Sequence, residues 1–506
     1  MAFKSATALA LLGASSVDAF FRMECRGSTG LARMDPIMDA GTVSGHVHTV
    51  HGSSGFSLSA TFDDLRNGQC TSCAVEDDLS AYWTPALYWH DYDTDEFSIV
   101  QQVGGMLAYY LQRGDNVTAF PAGFQMISGS NYRRDYTVGD PASPDPPQSN
   151  WAMLKQTGQD DLAQRALGFN CLNYKKDPEA SLFRHYMPDK EYLDANCPDG
   201  LRLELMFPSC WNGETTSADH KSHVAFPDLV GNGNCPDTHT QRLVTLFYET
   251  IWATADSAFG SNGEFVISNG DPTGFGYHGD FMAGWDPEFL QQALDECTND
   301  SGLLSDCPVF TNKAPLKSED EMRQCKFDVP QLLAKENCAA TDMKELPGGV
   351  QVQAGPESAT PPGDSDSYPT ARITSDSTTS KYSAPTLTYS PAASSSTAPM
   401  GGAFLETSES SADDVNVLAT SSSSSSSSTA IAPATTVAPV VASEPGVSYE
   451  VVSTQTVTTG VQVEEIVWKE PIVYVTEDTV TTVTVSSQEQ KRRRDHAWRH
   501  RHGRGQ

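Results

Sequence analysis

The chain has 506 residues, a formal net charge of −32 and eleven cysteines. So acidic a composition excludes nucleic-acid recognition, which needs a basic face. The cysteines point to an oxidising compartment.

The N-terminus agrees with that compartment. Lys4 precedes a small, apolar run from Ala6 to Val17, and Val17-Asp18-Ala19 fits a signal-peptidase site. The pattern predicts a removable secretory signal over residues 1–19. It is too short to span a bilayer, and no later run is apolar enough to do so. The C-terminus is basic where a GPI signal needs a hydrophobic tail, so neither a transmembrane segment nor a GPI anchor is expected. On a secreted chain, Asn116-Val117-Thr118 and Asn299-Asp300-Ser301 are glycosylation candidates. An odd cysteine count leaves at least one thiol over. The candidates for pairing are Cys25, Cys70, Cys73, Cys171, Cys197, Cys210, Cys235, Cys297, Cys307, Cys325 and Cys338, with connectivity open.

Residues 20–347 have the composition of a folded domain and carry all the cysteines. Strand-like runs at 46–50, 56–60, 97–103, 201–207, 243–248 and 265–267 are separated by Gly, Pro, Asn and Asp clusters. In the run from Leu201, residues Leu203, Leu205 and Phe207 share one side while Arg202, Glu204 and Met206 share the other, the mark of a half-buried strand. Helices are predicted at Asp286 to Cys297, where Pro287 suits a first turn, and at Ser318 to Cys325. Many short strands with few helices predict a mainly β, disulfide-stapled β-sandwich or jelly roll with long loops. The four cysteines between Cys297 and Cys338 predict a stapled subdomain.

After Pro347 the character changes. Residues 348–446 are rich in Ser, Thr, Pro and Ala, with eight consecutive serines at 421–428, and predict a disordered, O-glycosylated stalk. Residues 447–487 alternate Val and Thr and predict one or two hairpins or an extended tail. The end of the chain, 488–506, is basic: a solvated tail or a processing site.

Several stretches carry a family resemblance. Among them are Arg33-Met34-Asp35-Pro36-Ile37, Gly45-His46-Val47-His48, Cys70-Thr71-Ser72-Cys73, Tyr82-Trp83-Thr84-Pro85 and Phe120-Pro121-Ala122-Gly123-Phe124. Further ones are Cys197-Pro198-Asp199-Gly200, Phe207-Pro208-Ser209-Cys210-Trp211, Asp219-His220-Lys221-Ser222-His223 and Gly276-Tyr277-His278-Gly279-Asp280-Phe281. Together they resemble, over roughly residues 21–297, a secreted fungal family known as domain of unknown function nineteen ninety-six. The resemblance implies secretion and a cell-wall context. It implies no reaction and no catalytic residue.

Three histidine motifs are the most site-like chemistry: His46, His48 and His51; His220 and His223; and His278 with Asp280. His46 and His48 point the same way on an extended strand, the spacing at which two imidazoles share an ion. His46, His48, His220, His223 and His278 are therefore metal-ligand candidates for zinc or copper, with Asp219 or Asp280 as ligand or base. The bland alternative is that histidines tie loops together, and it is preferred for His51 and His239. Arg202 with Glu204 is read as a same-face ion pair rather than an acid pair. Cys70 and Cys73 are read as members of two structural disulfides rather than a redox pair. Tyr82, Trp83 and Trp211 are candidates for stacking on sugar rings. The functional expectation is a secreted carbohydrate-active protein with a histidine-lined, metal-binding site acting on extracellular or wall polysaccharide. A non-catalytic glycan-binding or structural wall protein is the alternative.

Overall fold

The computed structural model describes residues 19–360 and, further along, the backbone of two strands. Residues 1–18, 361–448, 460–461 and 472–506, with the signal up to residue 18, the stalk from residue 361, the rest of the Val/Thr segment and the basic tail, lie outside the described residues. The two backbone strands, Tyr449–Thr459 and Gln462–Pro471, pair antiparallel as a hairpin.

Ten strands of the main unit build two five-stranded sheets. In chain order they are β1 (Phe20–Cys25), β2 (Gly30–Ala32), β3 (His48–Gly52), β4 (Ala81–Pro85) and β5 (Gln102–Leu111), then β6 (Gln125–Gly129), β7 (Leu167–Cys171), β8 (Leu201–Met206), β9 (Thr245–Trp252) and β10 (His278–Met282). The first sheet runs β1-β5-β9-β8-β7 and the second β2-β3-β4-β10-β6, all antiparallel. Two three-stranded sheets, including Leu87–Asp91 with Gly263–Ile267 and Glu96–Ile99, extend this framework.

The large sheets face each other as the strand pattern predicts. Leu203, Leu205, Tyr110 and Tyr248 of the first sheet meet Tyr82, Phe281 and Met126 of the second in one core. Gly279 sits against the facing sheet: a Cβ there would lie 2.6 Å from Leu205 Cδ2, so a larger residue would force that side chain to move. The Tyr248 hydroxyl donates across the interface to the Asp280 carbonyl at 3.0 Å.

The outer faces differ from expectation. The alternation in β8 predicts one wet side, yet all six of its residues are buried. Loops and short helices roof both sheets. Trp151, Leu162, Phe226 and Val230 cover the first, packing on Leu107, Tyr109, Met206 and Phe247. Met34, Ile37, Phe56 and Leu58 cover the second, packing on Val50, Trp83, Ile127 and Met282. The run at 56–60 is thus a roof loop rather than a strand. Its alternate residues are buried, but it pairs with no sheet.

Both predicted helices form. Pro287–Glu296 starts at Asp286, whose carboxylate accepts from the Glu288 and Phe289 amides, and it buries Leu290, Ala293 and Leu294. Glu319–Gln324 starts at Ser318 with a reciprocal Glu321 capping box.

Five disulfides form: Cys25–Cys73, Cys70–Cys325, Cys171–Cys197, Cys210–Cys235 and Cys297–Cys307. Cys70 and Cys73 belong to different bonds, as expected for structural cysteines. The region 297–338 is no self-contained stapled unit, because Cys325 ties it back to Cys70, and Phe310 packs edge-on against Phe21 of β1. Cys338 is the free thiol, buried, with its pKa pushed up to about 12 by that burial. The chain stays docked past residue 347: Gln353 donates its amide to the Gly270 carbonyl, and its own carbonyl accepts from Arg134.

Candidate metal centre

The second sheet presents His48 on β3 and His278 and Asp280 on β10 to its roofed outer face, because alternate residues of a strand share a face. His46 precedes β3 and folds over the same spot, while Asp35 comes from the roof itself. The ligand atoms of His46, His48 and His278 all lie within 4.8 Å of one another. Those of Asp35, His48 and Asp280 form a second such set, with His48 common to both. All five residues are buried, none exposing more than 6% of its surface.

The hydrogen bonds orient the rings. His48 Nδ1 lies 3.1 Å from the Met34 carbonyl and His278 Nδ1 lies 3.0 Å from the Gly276 carbonyl. A carbonyl only accepts, so each Nδ1 carries the proton and each Nε2 turns a lone pair inward. His278 Nε2 meets His46 Nε2 at 3.1 Å, and His48 Nε2 has no partner. Two nitrogens bound to one zinc at about 2.0–2.1 Å stand at about this separation.

Electrostatics reinforce the arrangement. Burial lowers the pKa of His48 and of His278 to about 3, and that of His46 well below its usual value. The imidazoles are therefore neutral and ready to ligate. Asp280 is pushed well above the ordinary carboxylate range, chiefly by burial and further by Asp35, with Lys221 pulling the other way. Neither of its oxygens has a hydrogen-bond partner. Asp35 is raised by burial too, but one of its oxygens accepts from the Ile37 and Met38 amides.

Other expected site residues lie elsewhere. His223 is used on both sides, by Ser217 Oγ at 3.0 Å and by the Gln125 carbonyl at 2.8 Å, so it ties a loop rather than facing the cluster. His220 is half-buried, its Nδ1 3.1 Å from the Thr216 hydroxyl. Asp219 is an exposed loop anchor: one oxygen accepts from Ser217, Ser222 and the amides of Lys221 and Ser222, which holds its pKa far below the usual range. His51 and His239 bond to the Gly27 and Ser222 carbonyls, as the loop-tying alternative holds.

Tyr82 and Trp83 are 0% exposed and present no ring to a sugar; their apolar bulk fills the interior instead. Trp211 is half-buried. Asn116 and Asn299 are exposed. Sequence reasoning passed over Lys221, though it stands between His220 and His223, and weighed Asp35 only as a carboxylate.

Fold and site together define a class: a disulfide-stapled β-sandwich with a histidine–carboxylate cluster closed beneath one of its outer roofs. Residues 35–285 match the family described as domain of unknown function (DUF1996). The matched segment contains all five cluster residues. No curated protein and no solved structure matches the chain.

Proposed function

We propose that the protein is a secreted, metal-holding protein of the extracellular polysaccharide environment, with one zinc or copper ion bound by His46, His48, His278 and Asp280. The observation that carries this reading is the overlap of two donor sets at His48, one with His46 and His278 and one with Asp35 and Asp280, in which both Asp280 oxygens and His48 Nε2 are buried without a partner. An unpaired buried charge is costly, and a divalent cation is what this donor set stabilises. Such an ion acts as a Lewis acid and acidifies bound water. Burial of all the ligands limits contact to species as small as water while the roof stays closed. This favours the alternative in which the ion consolidates a wall protein over one in which a polymer strand meets the metal. The five disulfides and the Ser/Thr-rich stretch support the extracellular setting, and half-buried Trp211 supports contact with a glycan.

Elemental analysis of the purified full chain tests the metal. One equivalent of zinc or copper is expected in the parent and in His220→Ala, with loss in His48→Ala and in the milder Asp280→Asn. Equal metal in parent and Asp280→Asn, or none in the parent, would sink the reading. Co-sedimentation with insoluble chitin or β-glucan, with and without Trp211→Ala, tests the polysaccharide.

A further inference from the structure

The loop joining strands Cys210–Trp211 and Val224–Ala225 is laced to β6, the neighbour of β10. The Gln125 amide donates to the Thr215 carbonyl at 3.2 Å, the Ile127 amide to the His220 carbonyl at 3.3 Å, and His223 meets the Gln125 carbonyl. Asp219 fixes the turn from within, and His220 takes a left-handed backbone, φ 55°. The residue delivered inward by this turn is Lys221. Its ammonium donates to the Gly129 carbonyl at 2.6 Å, and Gly129 is the register partner of His278.

Charge bookkeeping singles this lysine out among the described residues around the cluster. Arg33 is paired with Glu336 at 2.8 Å, and Arg134 with Asp271 at 3.6 Å while donating to four carbonyls. Lys221 has no carboxylate of its own within ion-pair distance. Burial lowers its pKa, and the carboxyls of Asp280, two residues along β10 from His278, and of Asp219 act against that.

We propose that Lys221 is the resident counter-cation of the site, competing with the metal ion for Asp280 and so setting how tightly the ion is held. This deepens the metal reading and rests on it. A fixed ammonium favours the ionised form of Asp280 when the ion is absent, and opposes the ion when it arrives. The loop that carries it is then the element through which metal affinity is tuned.

Isothermal titration of the full chain with zinc, after chelator treatment, tests this. Lys221→Met is expected to bind zinc about tenfold more tightly than the parent, a change of the size one partly screened charge produces. Lys221→Arg, which keeps the charge, is expected to stay within about twofold of the parent. Circular dichroism on each variant confirms that the fold is retained. If parent and Lys221→Met bind zinc equally, or the variant binds it more weakly, the counter-cation assignment is overturned while the metal site stands. If neither binds zinc, both fall.

Discussion

Each large sheet hides a polar cluster beneath its roof, and the two clusters are built on opposite principles. Under the first sheet, Arg202 Nε lies 2.8 Å from Glu204 and 3.4 Å from Glu249. Glu249 also accepts from the Tyr109 hydroxyl at 2.8 Å, and Glu204 from the Leu182 amide at 2.5 Å. Glu204 and Glu249 are direct cross-strand partners and share the Arg202 guanidinium. Under the second sheet, Asp280 is equally buried and has neither hydrogen bond nor ion pair. The carboxylates of the first cluster are paired within the chain, and it reads as structure. In the proposed reading, the second is completed by a cation.

Arg202→Met should break the first cluster most severely. It strands two buried carboxylates, and breaking a buried pair in this way costs about 3–5 kcal/mol. Urea unfolding measures the loss, and a change under about 1 kcal/mol would erase the contrast between the clusters.

The pH response comes next in size. Folded His48 and His278 take up a proton only at about 3, whereas unfolded imidazoles do so at about 6.5. Between these values the unfolded chain binds more protons, so metal-free stability falls as pH falls through that window. Each imidazole contributes at most about 1.4 kcal/mol per pH unit. Asp280, raised when folded, contributes with the opposite sign, so the parent is best read against His48→Gln. That variant should lose less stability than the parent between pH 7 and 5. Parallel curves would show that His48 is not held neutral.

The smallest effect sharpens the contrast from the other side. Replacing Asp280 by leucine removes an uncompensated polar group and should raise metal-free stability by about 1–2 kcal/mol, while zinc no longer stabilises the variant. A loss of stability without metal would mean that Asp280 has a partner in the protein.

Much of this was legible along the chain. The alternation from Leu201 to Phe207 placed the leucines in the sandwich core and put Arg202 with Glu204. Pro287 and Ser318 marked the two helices. Spacing also paired His46 with His48, a relation two residues long. The expected ligands His220 and His223 point elsewhere, His223 to the Gln125 carbonyl that another segment supplies and His220 to Thr216 of its own loop. Tyr82 and Trp83 look like sugar platforms only until both faces of their sheet are covered.

Composition, cysteine count and local periodicity are short-range properties, so the amino-acid sequence alone determined a mainly β, disulfide-bonded class and the residue types available for a site. Which of those residues meet was decided by the roofs over the sheets and by the antiparallel register that sets His278 and Asp280 beside His48. Burial is a property of the assembled layers. It turned one carboxyl group among many into a buried group without a hydrogen-bond partner, with Lys221 held at the adjoining strand.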